Sequence, residues 1–405
     1  MLTSAHIKNF RSCKDVKLEK LGHMVALVGR NGAGKTTILK ALEWVATTAL
    51  ASDAFDRLPE VDPGEALAEP AVDLELTAGN HAYRYRVGRT FWEEATQGRP
   101  QRARDQESLS VKSSDDGTWQ RLFDRIDDSI TFGDRRPAVE LNPSTAAIPA
   151  LNSLLGSSDP LQPHILAVTE LLQRVRYYPG QLISYPFDPA DKEPSGPISE
   201  VMYDHWAAAH ASGQPSTSVL FRVIFAHANK PSIFAELKQL MGPGGLDLLR
   251  DIRVVTIGNV DEPRPQPGRR RRYYEVTFSP TRSSAELSLD QLSGGTRHAL
   301  YLLLGLLYDG SSTMLIEQPE DGIHPGLLAK LIDILRVNTD PTQIMLASHS
   351  PVVLSSLQPG DILLVDICQG STTVRRLTAA EVERAEDYMR RDGSLAEYLE
   401  LIQEE

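Results

Sequence analysis

The chain has 405 residues, which at roughly 150 per domain leaves room for two or three domains, or for one large core carrying insertions. A charged fraction of 24% beside a hydrophobic fraction of 41% argues against wholesale disorder and against fibrous architectures. The 54 acidic against 42 basic side chains give a net charge of −12, which speaks against a sequence-blind DNA coat and still allows a local basic patch.

Two cysteines, Cys13 and Cys368, are too few for a disulfide framework or a cysteine-based zinc site, and such low usage suits a reducing compartment. The start, MLTSAHIKNF, lacks a basic region followed by an apolar signal core, and the apolar runs are too short or too interrupted to span a bilayer. The expected location is the cytoplasm.

In chain order, Ala5 to Ile7 and Val16 to Leu18 are strand-like, and the continuous apolar run Met24 to Val28 reads as a buried parallel strand. A glycine-rich turn follows, then a helix over Thr36 to Val45 whose Ile38, Leu39, Leu42 and Val45 share one face. The acidic, proline-containing stretch Ser52 to Pro70 reads as a surface connection. Val72 to Val87 alternates apolar and polar residues around Ala78, Gly79 and Asn80, which predicts an antiparallel hairpin, and a second surrounds Asp116 and Gly117. Together these predict a small antiparallel sheet beside the parallel one. Residues 137–163 read as loop and Gln162 to Arg174 as helix; Pro186, Pro189, Pro194 and Pro197 mark a break. Ser199 to Leu249 is mostly helical in pattern, without the sustained heptads of a coiled-coil arm, and reads as an insertion in the nucleotide domain. No internal repeats are evident. The expected division is an N-terminal lobe at 1–180, a mainly helical insertion at 181–250 and a C-terminal lobe at 251–405.

Gly29, Arg30, Asn31, Gly32, Ala33, Gly34, Lys35 and Thr36 fit the spacing G-x-x-x-x-G-K-[ST], between the strand and the helix that this loop requires. The glycines let successive N–H groups turn inward on phosphates, and the helix N-terminus adds a favourable dipole. Lys35 reaches the β and γ phosphates, and the Thr36 hydroxyl holds Mg²⁺, with Thr37 beside it. ATP and Mg²⁺ are the expected cofactors.

Far downstream, Leu292, Ser293, Gly294 and Gly295 precede the apolar helix ALYLLLGLLY. The apolar strand Thr313 to Ile316 ends in Glu317, Gln318, Pro319 and Glu320, and the strand Gln343 to Ala347 ends in Ser348, His349 and Ser350. Ser293 at a helix start, followed by two glycines, makes a second anion site. This order resembles the ABC/SMC-type ATPases, and the wording E-Q-P-E-D-G-I-H-P and S-H-S-P is similar to the OLD and RecF-like branch found in phage-defence and DNA-repair systems. The likeness covers residues 1–50 and 285–365.

The resemblance implies an α/β fold: an ABC/SMC-like P-loop ATPase with a mainly parallel core sheet, an antiparallel β subdomain and a helical insertion. It also implies that two chains sandwich two nucleotides head to tail, so that Ser293 of one meets the γ-phosphate held by the other. Glu317 stands where relatives place the Mg²⁺-associated carboxylate, and His349 resembles the switch histidine on the γ-phosphate. His324, before Pro325, is either structural or at the dimer contact. Gln181 is either a γ-phosphate sensor through Mg²⁺ or a surface residue. Phe10 and Arg11 are either near the nucleotide, or a packed aromatic and a solvated cation. Gln318 departs from the pattern, because relatives carry a glutamate there to polarise the attacking water and an amide cannot take up that proton. Either Gln318 orients the water with a weaker push, or Glu320 or Asp321 supplies the carboxylate. Slow hydrolysis is the expectation.

The resulting picture is an ATP-linked dimer that controls a separately encoded effector such as a nuclease or toxin, since no D-x-D pair for an appended nuclease occurs in the chain. The alternative is a RecF-like DNA-repair ATPase, which Arg269 to Arg272 with Tyr273 and Tyr274 favour as a nucleic-acid grip. A transport ATPase fits the wording and the insertion poorly.

Overall fold

The computed structural model describes residues 1–51, 69–93, 100–113, 117–134, 136–142, 144–180, 196–211, 218–258, 272–391 and 393–404. Two compact units interleave along the chain. The first comprises Met1–Tyr178, Ser311–Gln318 and Arg336–Glu405; the second comprises Pro179–Gly310 and Pro319–Leu335. Among the described residues, no helix is long and apolar enough to cross a membrane.

The first unit holds two sheets. One has six strands in the order Val175–Tyr178, Thr313–Glu317, Gln343–Ser348, Met24–Val28, Ile362–Cys368 and Ser371–Arg376. The first five are mutually parallel and only the last is antiparallel. Met24–Val28, Thr313–Ile316 and Gln343–Ser348 are buried along their whole length, as strands covered on both faces must be. The helix Lys35–Thr48 buries Ile38, Leu39, Leu42 and Val45 on this core, so the apolar stripe read from the sequence is the packed face.

The antiparallel sheet is much larger than the sequence suggests. It has eight strands, and the two N-terminal strands Leu2–Phe10 and Cys13–Leu18 belong to it rather than to the parallel sheet. The hairpin about Gly79 pairs Ala71–Ala78 with His81–Glu93, and Pro100–Ser113 pairs with Gln120–Ile126 on either side of the second expected turn, of which Asp116 lies outside the described residues. A helix, Ala147–Leu154, lies inside the stretch that reads as loop. Pro149 is tolerated there because the first turn of a helix has no N–H partner to lose. Its start is fixed from a distance: the Ala147 N–H donates to the buried Glu107 carboxylate at 2.8 Å, and the Tyr85 hydroxyl donates to the other oxygen at 2.7 Å.

A buried glutamine joins the two sheets. Gln343 accepts from the Leu2 N–H at 3.0 Å and donates to the Leu2 and Gly22 carbonyls at 2.8 and 2.7 Å. Such a fully paired buried amide fixes register, because any slip would strand its polar atoms.

The second unit contains the helices Glu200–Ala211, Val219–Asn229 and Pro231–Met241, as the pattern of 199–249 predicts. It adds a three-stranded sheet of Ile198–Ser199, Arg272–Pro280 and Leu249–Gly258. The apolar helix Gly294–Leu307 is buried almost throughout. Arg222 is also buried, and it donates to Asp309 at 2.9 Å, which is the pairing a buried guanidinium requires. Residues 269–271 of the arginine run lie outside the described residues; Arg272 opens its strand.

Candidate functional site

In the first unit, register brings the predicted residues to one edge. Glu317 pairs with Ala347, and Ser348 pairs with Val28, so the strands ending in Glu317, Ser348 and Val28 finish side by side at their carboxyl ends. In an open parallel sheet that edge is where ligands bind, because helix N-termini and loops face it together. Gly29 to Thr36 leave from the Val28 end and His349 from the Ser348 end.

The loop is closed by its own atoms. The Ala33 N–H donates to the Arg30 carbonyl at 3.2 Å, and Gly32 and Gly34 take φ of 79° and 101°. Lys35 is buried, with Nζ donating to the Gly29 and Arg30 carbonyls at 2.7 and 2.9 Å. Its ammonium therefore sits inside the curve of the loop. Arg30, Asn31 and Gly32 are exposed, and Thr36 and Thr37 are half-buried.

Across the edge, the Thr36 hydroxyl donates to Oε1 of Glu317, and the Tyr177 hydroxyl donates to Oε2 of the same carboxylate. Hard oxygen donors of this kind suit Mg²⁺, and two protein oxygens plus phosphates and waters is the usual way it is held. Among the described residues, no cluster of three or more His, Cys, Asp or Glu offers a competing all-protein cage. Gln318 adjoins Glu317 with φ of 43°, an uncommon value for a non-glycine residue, and its N–H donates to the Ala347 carbonyl at 2.8 Å. The backbone of Gln318 is thereby fixed at the strand end rather than in a free loop. His349 is exposed one residue beyond the buried Ser348.

The turn after Phe10 reaches the loop through Ser12 and Thr372. Phe10 is buried, 5.9 Å from the Trp44 ring, while Arg11 is exposed with φ of 51°. The neighbouring Ser12 hydroxyl lies 2.8 Å from that of Thr372, which also donates to the Ala33 carbonyl at 3.1 Å. Thr372 belongs to the antiparallel strand Ser371–Arg376, so the far end of the chain braces the phosphate loop. Gln181 lies outside the described residues.

The stretch Leu292 to Gly295, predicted as a second anion site, belongs to the second unit, as does Glu320. Ser293 caps the helix Gly294–Leu307, accepting from the Thr296 N–H at 3.2 Å, and Ser293 and Gly294 are exposed. Gly295 packs on the following acidic loop, where an added Cβ would fall 2.4 Å from the Gly322 carbonyl oxygen. His298, one turn on, is buried with Nδ1 3.1 Å from the Asp321 carbonyl, and burial holds its pKa below the usual value. The loop 320–323 and the first turns of the helix therefore form one packed piece. Gly295→Ala is expected to cost about 1–3 kcal/mol, because backbone and not a flexible side chain must move. Thermal or urea melts check this, and an unchanged midpoint would show that the loop yields freely. Glu320 is half-buried, and His324 is exposed with Nδ1 accepting from the Gly326 N–H at 3.3 Å.

Sequence reading did not single out Tyr177, Thr372, Ser12 or His298. In the sequence Tyr177 stands out only by its place in the stretch RYYPGQ, which also holds Gln181.

Comparison with known proteins gives matches along both parts of the chain. A family model described as "AAA domain" matches residues 4–135, and one described as "AAA domain, putative AbiEii toxin, Type IV TA system" matches residues 182–355. Over these two stretches the chain is similar to AAA-type ATPase domains. The chain is 45% identical over 60 residues to an OLD nuclease of Thermus scotoductus, a stretch that is 15% of this chain and 11% of the relative. It is 48% identical over 42 residues to an uncharacterized protein of Methanocaldococcus jannaschii, 10% of this chain and 19% of that protein. The matches thus span less than a fifth of either relative. A solved SMC head bound to the C-winged helix domain of ScpA aligns over 95% of this chain and 99% of that chain, at 12% identity and a TM-score of 0.46.

Proposed function

We propose that the chain is an ATP-binding switch with slow hydrolysis, which pairs head to tail around two nucleotides and controls a separately encoded effector in anti-phage defence. The observation that carries this reading is the strand end where Glu317 touches Thr36 of the phosphate loop while Gln318, an amide, holds the adjoining position. Lys35, the loop N–H groups and the helix N-terminus bind the triphosphate. Thr36 and Glu317 hold Mg²⁺, which when bound offsets phosphate charge. Gln318 orients water but cannot accept its proton, so the bound state outlasts the chemistry. His349 contacts the γ-phosphate from the neighbouring strand end. Exposed Ser293 and Gly294 at their helix N-terminus present N–H groups to a phosphate held by a second copy. The likeness of a short stretch to an OLD nuclease supports the defence setting.

The test is ATP turnover together with mass measurement, with and without ATP and Mg²⁺, on the natural chain, Lys35→Ala and Gln318→Glu. The expected result is an ATP-dependent dimer of the natural chain with slow turnover, and faster turnover in Gln318→Glu by about 10²-fold, the lower end of what a positioned general base contributes. Brisk hydrolysis by the natural chain, or a Gln318→Glu rate no higher than natural, would remove Gln318 as the brake.

One observation favours the second reading, a RecF-like repair ATPase that binds DNA. A groove of about 590 Å³ opens on the polar face of the antiparallel sheet, lined by Lys8, Lys17, Arg121 and Trp119 among others. Arg84 and Arg86 in the same groove are already matched to Glu75 and Asp73 across the strands, which lowers the net positive charge on offer. DNA affinity that falls steeply with salt and drops on removing Lys8 and Lys17 supports repair; a stable complex with a neighbouring gene's product supports the switch.

A further inference from the structure

We propose that Tyr177 is a positioning residue for the Glu317 carboxylate, and through it for the Mg²⁺ site; the inference rests on the ATP-binding reading above. Tyr177 lies on the edge strand Val175–Tyr178, paired in parallel with Leu315. Alternation along Thr313–Glu317 puts Leu315 and Glu317 on one side of the sheet, which is how the phenol reaches the carboxylate. Its hydroxyl donates to Oε2, while Thr36 donates to Oε1, so each carboxylate oxygen is engaged by a different hydroxyl.

The ring is itself held. Lys40 Nζ stands 3.5 Å from the ring centroid and also donates to Glu43 at 2.9 Å. Lys40 and Thr36 are one turn apart on the helix Lys35–Thr48 and share a face. Helix, cation, phenol, carboxylate and loop hydroxyl thus form a closed ring of contacts.

The need for such a brace follows from the residue type. Glutamate has one more rotatable bond than aspartate, so its carboxylate loses more freedom when fixed at a site. Thr36 cannot fix it throughout, because a hydroxyl that turns its oxygen to a cation beside a triphosphate is no longer free to hold Oε1 in the same way. Tyr177 grips the other oxygen and keeps Glu317 in place when Thr36 changes partner. A partner that orients a ligating carboxylate in this way acts on metal affinity and leaves the nucleotide's own contacts alone.

The test uses the full chain and a fluorescent ATP analogue, with Mn²⁺ followed by electron paramagnetic resonance as the metal probe. Tyr177→Phe removes one oxygen and keeps the ring. It is expected to raise the Mn²⁺ and Mg²⁺ half-saturation about 10-fold or more in the presence of nucleotide, while nucleotide affinity in EDTA stays unchanged. In a Glu317→Asp background, where the shorter side chain withdraws from the phenol, the same change is expected to have no further effect. Lys40→Met, which frees the ring but keeps every hydroxyl, is expected to shift half-saturation by a smaller factor, about threefold. An unchanged metal half-saturation in Tyr177→Phe overturns the proposal, as does an equal loss in both backgrounds, which would mark a purely structural role. Failure of the ATP-binding reading looks different: the natural chain, cooperatively folded, would take up no more nucleotide than Lys35→Ala, and the proposal would fall with it.

Discussion

Lys35→Ala is expected to weaken ATP binding by at least about 10²-fold, because it removes charge-assisted hydrogen bonds worth about 1.5–3 kcal/mol each, and 1.4 kcal/mol is a factor of ten. The size of the effect follows from where the ammonium sits. Lys35 is only 7% exposed, and Nζ bonds to the Gly29 and Arg30 carbonyls from inside the loop. Truncation therefore takes away the positive charge that meets the phosphates and the Lys35 donor from two loop carbonyls, of which that of Arg30 keeps the Ala33 N–H. The loop that remains still points N–H groups inward, so some affinity for the triphosphate persists through the backbone and the helix dipole. Titration calorimetry with a slowly hydrolysed ATP analogue measures this directly. An affinity within experimental error of the natural chain would mean that the nucleotide is bound elsewhere, and the assignment of Gly29 to Thr36 would have to be abandoned.

The second large effect concerns the loop glycines, which differ in why they are glycine. An added Cβ at Gly29 would fall 2.0 Å from the Val365 carbonyl oxygen, and backbone of a strand paired on both sides cannot step aside. At Gly34 the Cβ would fall 2.1 Å from the Thr372 hydroxyl, in a backbone with φ of 101°. Gly32 has φ of 79° and open space around it. Gly29→Ala is therefore expected to destabilise by about 3 kcal/mol through overpacking. Gly34→Ala combines a clash with the left-handed penalty of about 1–2 kcal/mol, and it breaks the Thr372 brace on Ala33. Gly32→Ala bears only the conformational penalty, about 1 kcal/mol. Urea denaturation of the three variants gives the ranking; equal losses at all three would show that packing against Val365 and Thr372 contributes nothing. Gly29→Ala and Gly34→Ala are also expected to lose ATP binding, since each shift moves the N–H groups that line the loop.

The difference between these two sets of predictions reflects what could be read from the sequence. Lys35 was legible because strand, loop and helix are contiguous, and each residue type there answers a local demand: glycine for curvature, lysine for charge, threonine for a hydroxyl. Glu317, Gln318 and His349 were legible as polar residues at the ends of short apolar strands. Gly29 and Gly34 were visible as loop glycines, but their second constraint was not, because it comes from Val365 and Thr372 hundreds of positions away. The same distance hid Tyr177. Its hydroxyl meets Glu317 across 140 positions, and Thr36 meets the same carboxylate across 281.

The antiparallel sheet shows another limit. The pattern in 72–87 was strong enough to place a hairpin, whereas Pro100–Ser113 (PQRARDQESLSVKS) opens on polar residues, so its strand signal is weak until Leu109 and Val111. Pairing with a long neighbour supplies what propensity lacks. Helix Ala147–Leu154 was obscured by Pro143 and Pro149, and it exists because a buried carboxylate, Glu107, satisfies its first N–H.

The sequence by itself therefore determined the phosphate loop, its strand and helix, the capped glycine pair at Ser293 and the order of the strand ends, all of which depend on interactions within a few residues. Tertiary structure alone decided which hydroxyls reach Glu317, what braces Ala33, and that the acidic loop after Pro319 packs on the Gly295 helix. Hydrogen bonds and close backbone contacts have a reach of about 3 Å, so residues far apart in sequence meet only after the sheets have set their register.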